Sequence, residues 1–238
     1  MSSLTLVAVT GVLAGLGIAS LVRPDPKEIA ASYPAERHEE VASPLREIVR
    51  RPGVPVALLG AVTSFAVMAS VMNLAGYVAV GRGHHEGDVF TMISVHILGM
   101  FGLVFVVGDL IDRFGHRRTL VAGLAIMAGS NAALVWFGGV GGMSLALLGL
   151  GLGWNLSYVA ATTELVALTA PAERGRLIGF SDFGANLVAA SLALLGGLVY
   201  SGFGVAALSL SAAALAAVPA LWLFVRPGPR VALSGSGP

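Results

Sequence analysis

The sequence predicts an all-α membrane protein with seven transmembrane helices: one isolated helix plus a six-helix half-bundle of two inverted three-helix repeats. Composition is the first of three observations behind this. Of the 238 residues 56% are hydrophobic and only 11% charged, at a mean hydropathy of +0.85. A water-soluble domain carries about a quarter charged residues to cover its surface. The second observation is length: the apolar residues fall in blocks close to the roughly 20 residues of helix that cross a hydrocarbon core. The third is charge, because thirteen of the fourteen Lys and Arg residues fall in alternate connections between those blocks.

The blocks run over 3–22, 54–81, 89–111, 118–137, 143–168, 177–200 and 203–225. No base precedes the first in Met1-Ser2-Ser3, so residues 1–22 read as a retained leading helix; a secretory signal normally starts basic. Residues 23–53 read as a cytoplasmic linker loop. They carry Pro24, Pro26, Pro34, Pro44 and Pro52 and mix six acids with six bases, a composition that stays in water. Inside the loop Leu45, Ile48 and Val49 stand at helical spacing, which suits a short helix lying on the membrane surface. Residues 54–225 hold the other six spans, and 226–238 form a tail. Basic residues occupy the linker, the turn with Arg113, Arg117 and Arg118, the turn with Arg174 and Arg176, and the tail, leaving only Arg82 opposite. The positive-inside rule places the thirteen in the cytoplasm. The N-terminus is then outside and the C-terminus inside, in a multi-pass protein of the cell (inner) membrane.

The most specific stretch is Gly108-Asp109-Leu110-Ile111-Asp112-Arg113-Phe114-Gly115-His116-Arg117-Arg118, joining two spans with almost no loop. Gly108 lets a helix end pack closely, and Gly115 supplies a permissive turn. Asp112 can meet the positive end of a neighbouring helix, while Arg113 and Arg117 can pair with carboxylates. This resembles the cytoplasmic-loop motif of the major facilitator superfamily, G-x-L-x-D-R-x-G-R-[RK], with His116 departing where a base is usual. The family carries its motif between the second and third helices of each six-helix half. Three spans precede it here and four follow. The chain therefore looks like the C-terminal half (family helices six to twelve): the last helix of the first half, the central loop and the whole second half. Gly153-Trp154-Asn155, with Ser181-Asp182-Phe183, is similar to a bacterial group of these proteins. The resemblance implies a secondary active transporter, or a truncated half of one. It would move a small molecule by alternating access between two halves, with proton coupling.

The resemblance also implies roles for particular residues. Gly108, Asp112, Arg113, Gly115, Arg117 and Arg118, with Glu164 at the inner end of the fifth span, form a cytoplasmic gate in which Glu164 pairs with Arg113 or Arg117. The alternative is a carboxylate snorkelling to the interface. Thr63, Ser70, Asn73 and Tyr77 make one polar stripe and Asn155, Tyr158 and Thr162 another, on spans that line the family's cavity; such stripes also glue helices together. Asp182 shares a face with Asn186 four residues on and either lines the pathway or braces its helix. His96 is a proton relay or a hydrogen bond between helices. His84, His85, Glu86 and Asp88 read as a polar outer loop, not a metal site.

Other functions are disfavoured on chemistry. The net charge of +1 suggests no nucleic acid, and cysteine is absent, which removes thiol catalysis and Cys-ligated zinc. No phosphate-cradling G-x-x-x-x-G-K-[ST] occurs, and no nucleophile assembles with a base. The expected protein is not an enzyme and has no cofactor. Its partners are an unknown small-molecule substrate, the lipid bilayer, and a missing N-terminal half or a second copy. A non-transporting membrane adaptor derived from a transporter half is the alternative.

Overall fold

A computed structural model describes residues 3–21 and 42–226, and every regular element among them is an α-helix. The chain divides into two compact units, Met1–Val41 and Ala42–Pro238. In the first, α1 covers Ser3–Leu21. Nineteen residues rise about 28 Å, close to the hydrocarbon thickness of a bilayer. Residues 22–41 of the expected linker and 227–238 of the expected tail lie outside the described residues.

The second unit contains α2 (Leu45–Ile48), α3 (Val54–Gly81), α4 (Glu86–Gly102), α5 (Val107–Phe114), α6 (His116–Ala133), α7 (Val140–Ala167) and α8 (Pro171–Val225). Three of these, α3, α7 and α8, are long and apolar enough to cross a membrane, and α4 with α5 makes a fourth span bent by 51°. At 55 residues α8 is about 80 Å long, more than one crossing needs. Gly204, at φ +76°, breaks it into limbs 171–203 and 205–225. One group of three helical segments is then α3, α4–α5 and α6. The other is α7 and the two limbs of α8.

Two elements differ from expectation. The short helix after the linker is a single turn, α2, and its Ile48 is wholly buried. Residues 42–53 thus fold with the helical bundle, with α2 packed on α8. The larger difference is in 89–111, expected as one continuous span. Here α4 ends at Gly102, and residues 103–106 pass through tight turns, with Val104 N–H on the Phe101 carbonyl (3.1 Å) and Val106 N–H on Leu103 (2.9 Å). Leu103-Val104-Phe105-Val106-Val107 is as apolar as any helix, so hydropathy does not register the break. Its causes are local: a glycine at the helix end, then β-branched residues that lose rotamer freedom in a helix. The Met100 carbonyl, left open by the helix end, accepts instead from Asn155 Nδ2 of α7 at 2.6 Å.

Close backbone contact organises the bundle around α7. A Cβ on Gly99 of α4 would lie 2.4 Å from the Leu148 carbonyl oxygen, and one on Gly151 of α7 2.5 Å from that of His96. On another face of α7, Cβ atoms on Gly123 and Gly153 would meet each other's partner carbonyl at 2.6 and 2.7 Å. The small side chains let α4 and α6 both touch α7, and dispersion with short polar contacts then holds helices together where lipid is as apolar as the side chains. His96 Nδ1 adds a 2.8 Å bond to the Leu147 carbonyl. Together with Asn155 it braces the α4–α7 seam from both sides.

Gly151→Ala is expected to destabilise the fold by about 1–3 kcal/mol, the usual cost of overpacking. Gly175→Ala, with nothing within 4 Å of the added methyl, is expected to melt like the parent. Thermal unfolding in detergent, followed by circular dichroism, compares them; equal melting of all three would mean that the seam yields freely.

Candidate functional site

The turn between α5 and α6 is Gly115, at φ +82°, a conformation that residues with a Cβ seldom adopt. Gly108, Asp112, Arg113 and Arg118 are exposed around it. Glu164, near the end of α7, does not meet Arg113 or Arg117 as the family resemblance implies. His116 Nδ1 instead lies 2.9 Å from its Oε2. Helix geometry explains the exchange: His116 opens α6 on the side of α7, and Arg117 lies about 100° further round, facing α8. Arg117 Nη2 donates to the Leu223 carbonyl at 2.5 Å and also to the Arg226 carbonyl, so the arginine caps the last turn of α8 where carbonyls are otherwise unsatisfied. Arg226 in turn lies over the Trp222 ring, 4.3 Å from its centroid. His116, Arg117, Glu164, Trp222 and Arg226 line a cavity of about 270 Å³ between the ends of α3, α6, α7 and α8.

A second tie at this end of the bundle has no counterpart among the expected site residues. Arg51 binds Glu173 through two parallel bonds, Nη1 to Oε2 at 2.5 Å and Nη2 to Oε1 at 2.8 Å. Ser43 N–H donates to the same carboxylate at 3.1 Å, as does Ala170 N–H at 3.3 Å. Glu173 is the third residue of α8 after Pro171, a position from which an acid reaches back to the helix start. That sequence signal was available. The buried carboxyl lies ahead of the apolar span, and the Arg51 hydrogen bonds hold it at about 2, below the usual 4.5.

The substrate and proton candidates separate into two sets. Tyr158 donates to Asp182 Oδ1 at 3.1 Å, joining α7 to the first limb of α8. Trp154 stacks on Tyr158 with centroids 5.2 Å apart and planes 12° from parallel, and Phe65 of α3 lies 6.0 Å from it. Asn186 bonds back to the Asp182 carbonyl (2.8 Å) and Thr162 to that of Tyr158 (2.8 Å). Asp182 and Asn186 are exposed on the bundle surface, as are Asn73 and Tyr77 of α3; Tyr77 meets Tyr200 edge-on at 5.3 Å. His96 and Asn155 belong instead to the α4–α7 seam, where a carbonyl partner requires His96 Nδ1 to carry the proton. At the opposite end, Arg82 donates to the Phe137 and Leu134 carbonyls at 2.9 and 2.7 Å, and His84 pairs with the Gly138 carbonyl at 2.7 Å. No group of three metal-binding side chains occurs among the described residues.

The family profile described as Major Facilitator Superfamily matches residues 2–166 and 91–238. The chain belongs to that superfamily. It is therefore a multi-pass membrane protein of a transporter family. Three superfamily relatives show the range of similarity. The riboflavin transporter RfnT of Brucella anthropi is 37% identical over 164 residues, 68% of this chain and 38% of the relative. Two uncharacterized MFS-type transporters of Bacillus subtilis follow: YdeG at 29% over 211 residues (86% and 49%) and YddS at 26% over 225 residues (90% and 52%). The chain spans about half, or less, of the length of these curated relatives. No solved structure matches it.

The Arg51–Glu173 tie carries a pH signature. Because the folded carboxyl titrates below its usual 4.5, it stabilises the fold fully above that value, and the contribution is lost as pH falls through about 2. Glu173→Gln is expected to melt below the parent at neutral pH, with the gap closing across that window. A gap that stays constant with pH would remove the ion pair from the account.

Proposed function

We propose that residues 54–225 are the C-terminal six-helix half of a secondary active transporter of the bacterial Gly-Trp-Asn-containing group. Residues 1–22 are the helix before it, 23–53 the linker on the cytoplasmic side, and both the linker and the tail lie inside the cell. The half moves a small molecule by alternating access, with protons as the coupling ion. One observation carries this reading: Asp182, an ionisable residue about 8 Å into the apolar block that begins at residue 177, is exposed on the surface of the bundle. A carboxylate at that depth is costly against lipid and normally faces a water-filled cavity or a partner. Asn73, Tyr77 and Asn186 are exposed as well. Such a polar surface calls for a covering body, either an N-terminal half or a second copy, with the substrate between them. The end bearing Arg113, Arg117, Arg118, Arg174 and Arg176 is the cytoplasmic gate, with His116–Glu164 and the Arg117 cap as its contacts.

Riboflavin is the first substrate to test. The RfnT relative is named for it, and the near-parallel Trp154 and Tyr158 rings offer a flat aromatic ligand a stacking surface. Light scattering of the detergent-solubilised chain establishes whether copies pair. Titration of the purified chain into riboflavin then reads binding through flavin fluorescence. Quenching that saturates, and that weakens roughly three- to tenfold in Tyr158→Ala, is the expected result. A paired chain that neither quenches riboflavin nor takes it up into proteoliposomes under a proton gradient would remove riboflavin as the substrate. A chain that stays monomeric and carries nothing would point to the adaptor reading.

A further inference from the structure

Among the bases of its turn, Arg118 is the one that lines a groove on either side of α6. It is exposed and makes no hydrogen bond or ion pair among the described residues, whereas Arg117 beside it caps α8. It sits between two open grooves. One, of about 360 Å³, runs between α6 and the second limb of α8 and is lined by Arg117, Arg118, Val121, Ala122, Phe224 and Arg226. The other, of about 350 Å³, runs on the opposite side of the α6 start and is lined by Leu110, Phe114, Arg118, Thr119, Ala122 and Leu156. Neither lining includes a carboxylate. The walls are apolar and open to the surroundings, with Phe114 55% and Phe224 77% exposed.

We propose that this ridge of α6 is a binding site for an anionic phospholipid of the leaflet at the arginine-rich end. The phosphate sits over Arg118, supported by Arg226 and the free edge of Arg117, and one acyl chain lies in each groove. Three facts select this occupant. Three guanidiniums line a groove that holds no carboxylate, Glu164 lying in the neighbouring cavity that Arg117 and Arg226 also line, and arginine matches phosphate geometry. Their position at the end of membrane-crossing helices puts them at headgroup depth, where basic pockets between helices take anionic headgroups. The two grooves meet at Arg118, as two acyl chains meet at one glycerophosphate, and a soluble phosphate would leave both empty. The site stands whichever substrate the protein carries.

The test uses the full chain purified in a neutral detergent. Native mass spectrometry counts bound lipid when phosphatidylglycerol or phosphatidylcholine is added at equal concentration, and thermal unfolding is measured in parallel. The parent is expected to retain phosphatidylglycerol preferentially and to melt higher with it. Arg118→Ala is expected to weaken that binding roughly fivefold, and Arg118→Ala with Arg226→Ala roughly twenty-five-fold, at about 1 kcal/mol for each basic residue. Neither substitution removes a backbone cap, since Arg226 accepts from Arg117 through its carbonyl. Arg113→Ala, outside both grooves, is expected to bind like the parent. Equal retention of the two lipids would overturn the proposal. So would loss of binding in Arg113→Ala but not in Arg118→Ala, or full reproduction of the thermal effect by inorganic phosphate, which would make the site one for a soluble anion.

Discussion

Everything in the unit from Ala42 onward depends on how closely the backbone of α7 is approached from two sides. Gly99 and Gly151 bring α4 to within carbonyl contact of it, and Gly123 and Gly153 do the same for α6. Within lipid there is no hydrophobic gain in bringing two apolar helices together, so association must come from close packing and from polar groups that find partners across the gap. The seam supplies both. His96 and Asn155 reach across it in opposite directions to the Leu147 and Met100 carbonyls. The second of these bonds takes up a carbonyl that the end of α4 leaves free, which ties the broken span to the same contact.

From this seam the placement of the functional groups follows. With α7 held between α4 and α6, Tyr158 is left to face the first limb of α8, where it meets Asp182. Near its end, Glu164 is brought to the start of α6 and to His116. The same arrangement turns Arg117 towards α8. A single rigid helix thus sets the geometry of a polar surface in mid-span and of a charged cluster at one end.

Much of the fold could be read from the chain, because hydropathy and charge report directly on what a bilayer demands. Apolar blocks located the helices, and Gly115 marked the turn between α5 and α6 on conformational grounds. The break at 103–106 was invisible, since it changes backbone hydrogen bonding without changing polarity. Of the cluster around the 270 Å³ cavity, the motif and resemblance named Arg117 and Glu164 but not His116, Trp222 or Arg226, and the pairing was not legible: which of His116 and Arg117 faces Glu164 depends on the rotation of α6 about its own axis. Arg51 and Glu173, 122 residues apart, are joined by topology that no local pattern encodes. His96 and Asn155 stood out as polar residues in apolar spans, and only the packing of α4 on α7 distinguishes a seam from a pathway.

Arginine caps at both ends of the bundle have a mechanical meaning. Arg82, just past α3, holds the carbonyls that follow α6, and Arg117, at the start of α6, holds those that close α8. Three long struts are therefore pinned tip to tip through α6, like a frame with fixed corners. The elbow at 103–106 lies outside that chain of pins. Between that elbow and the Gly115 turn, α5 is a short segment that no pin holds directly, while the start of α6 just beyond it is fixed to α8 by Arg117.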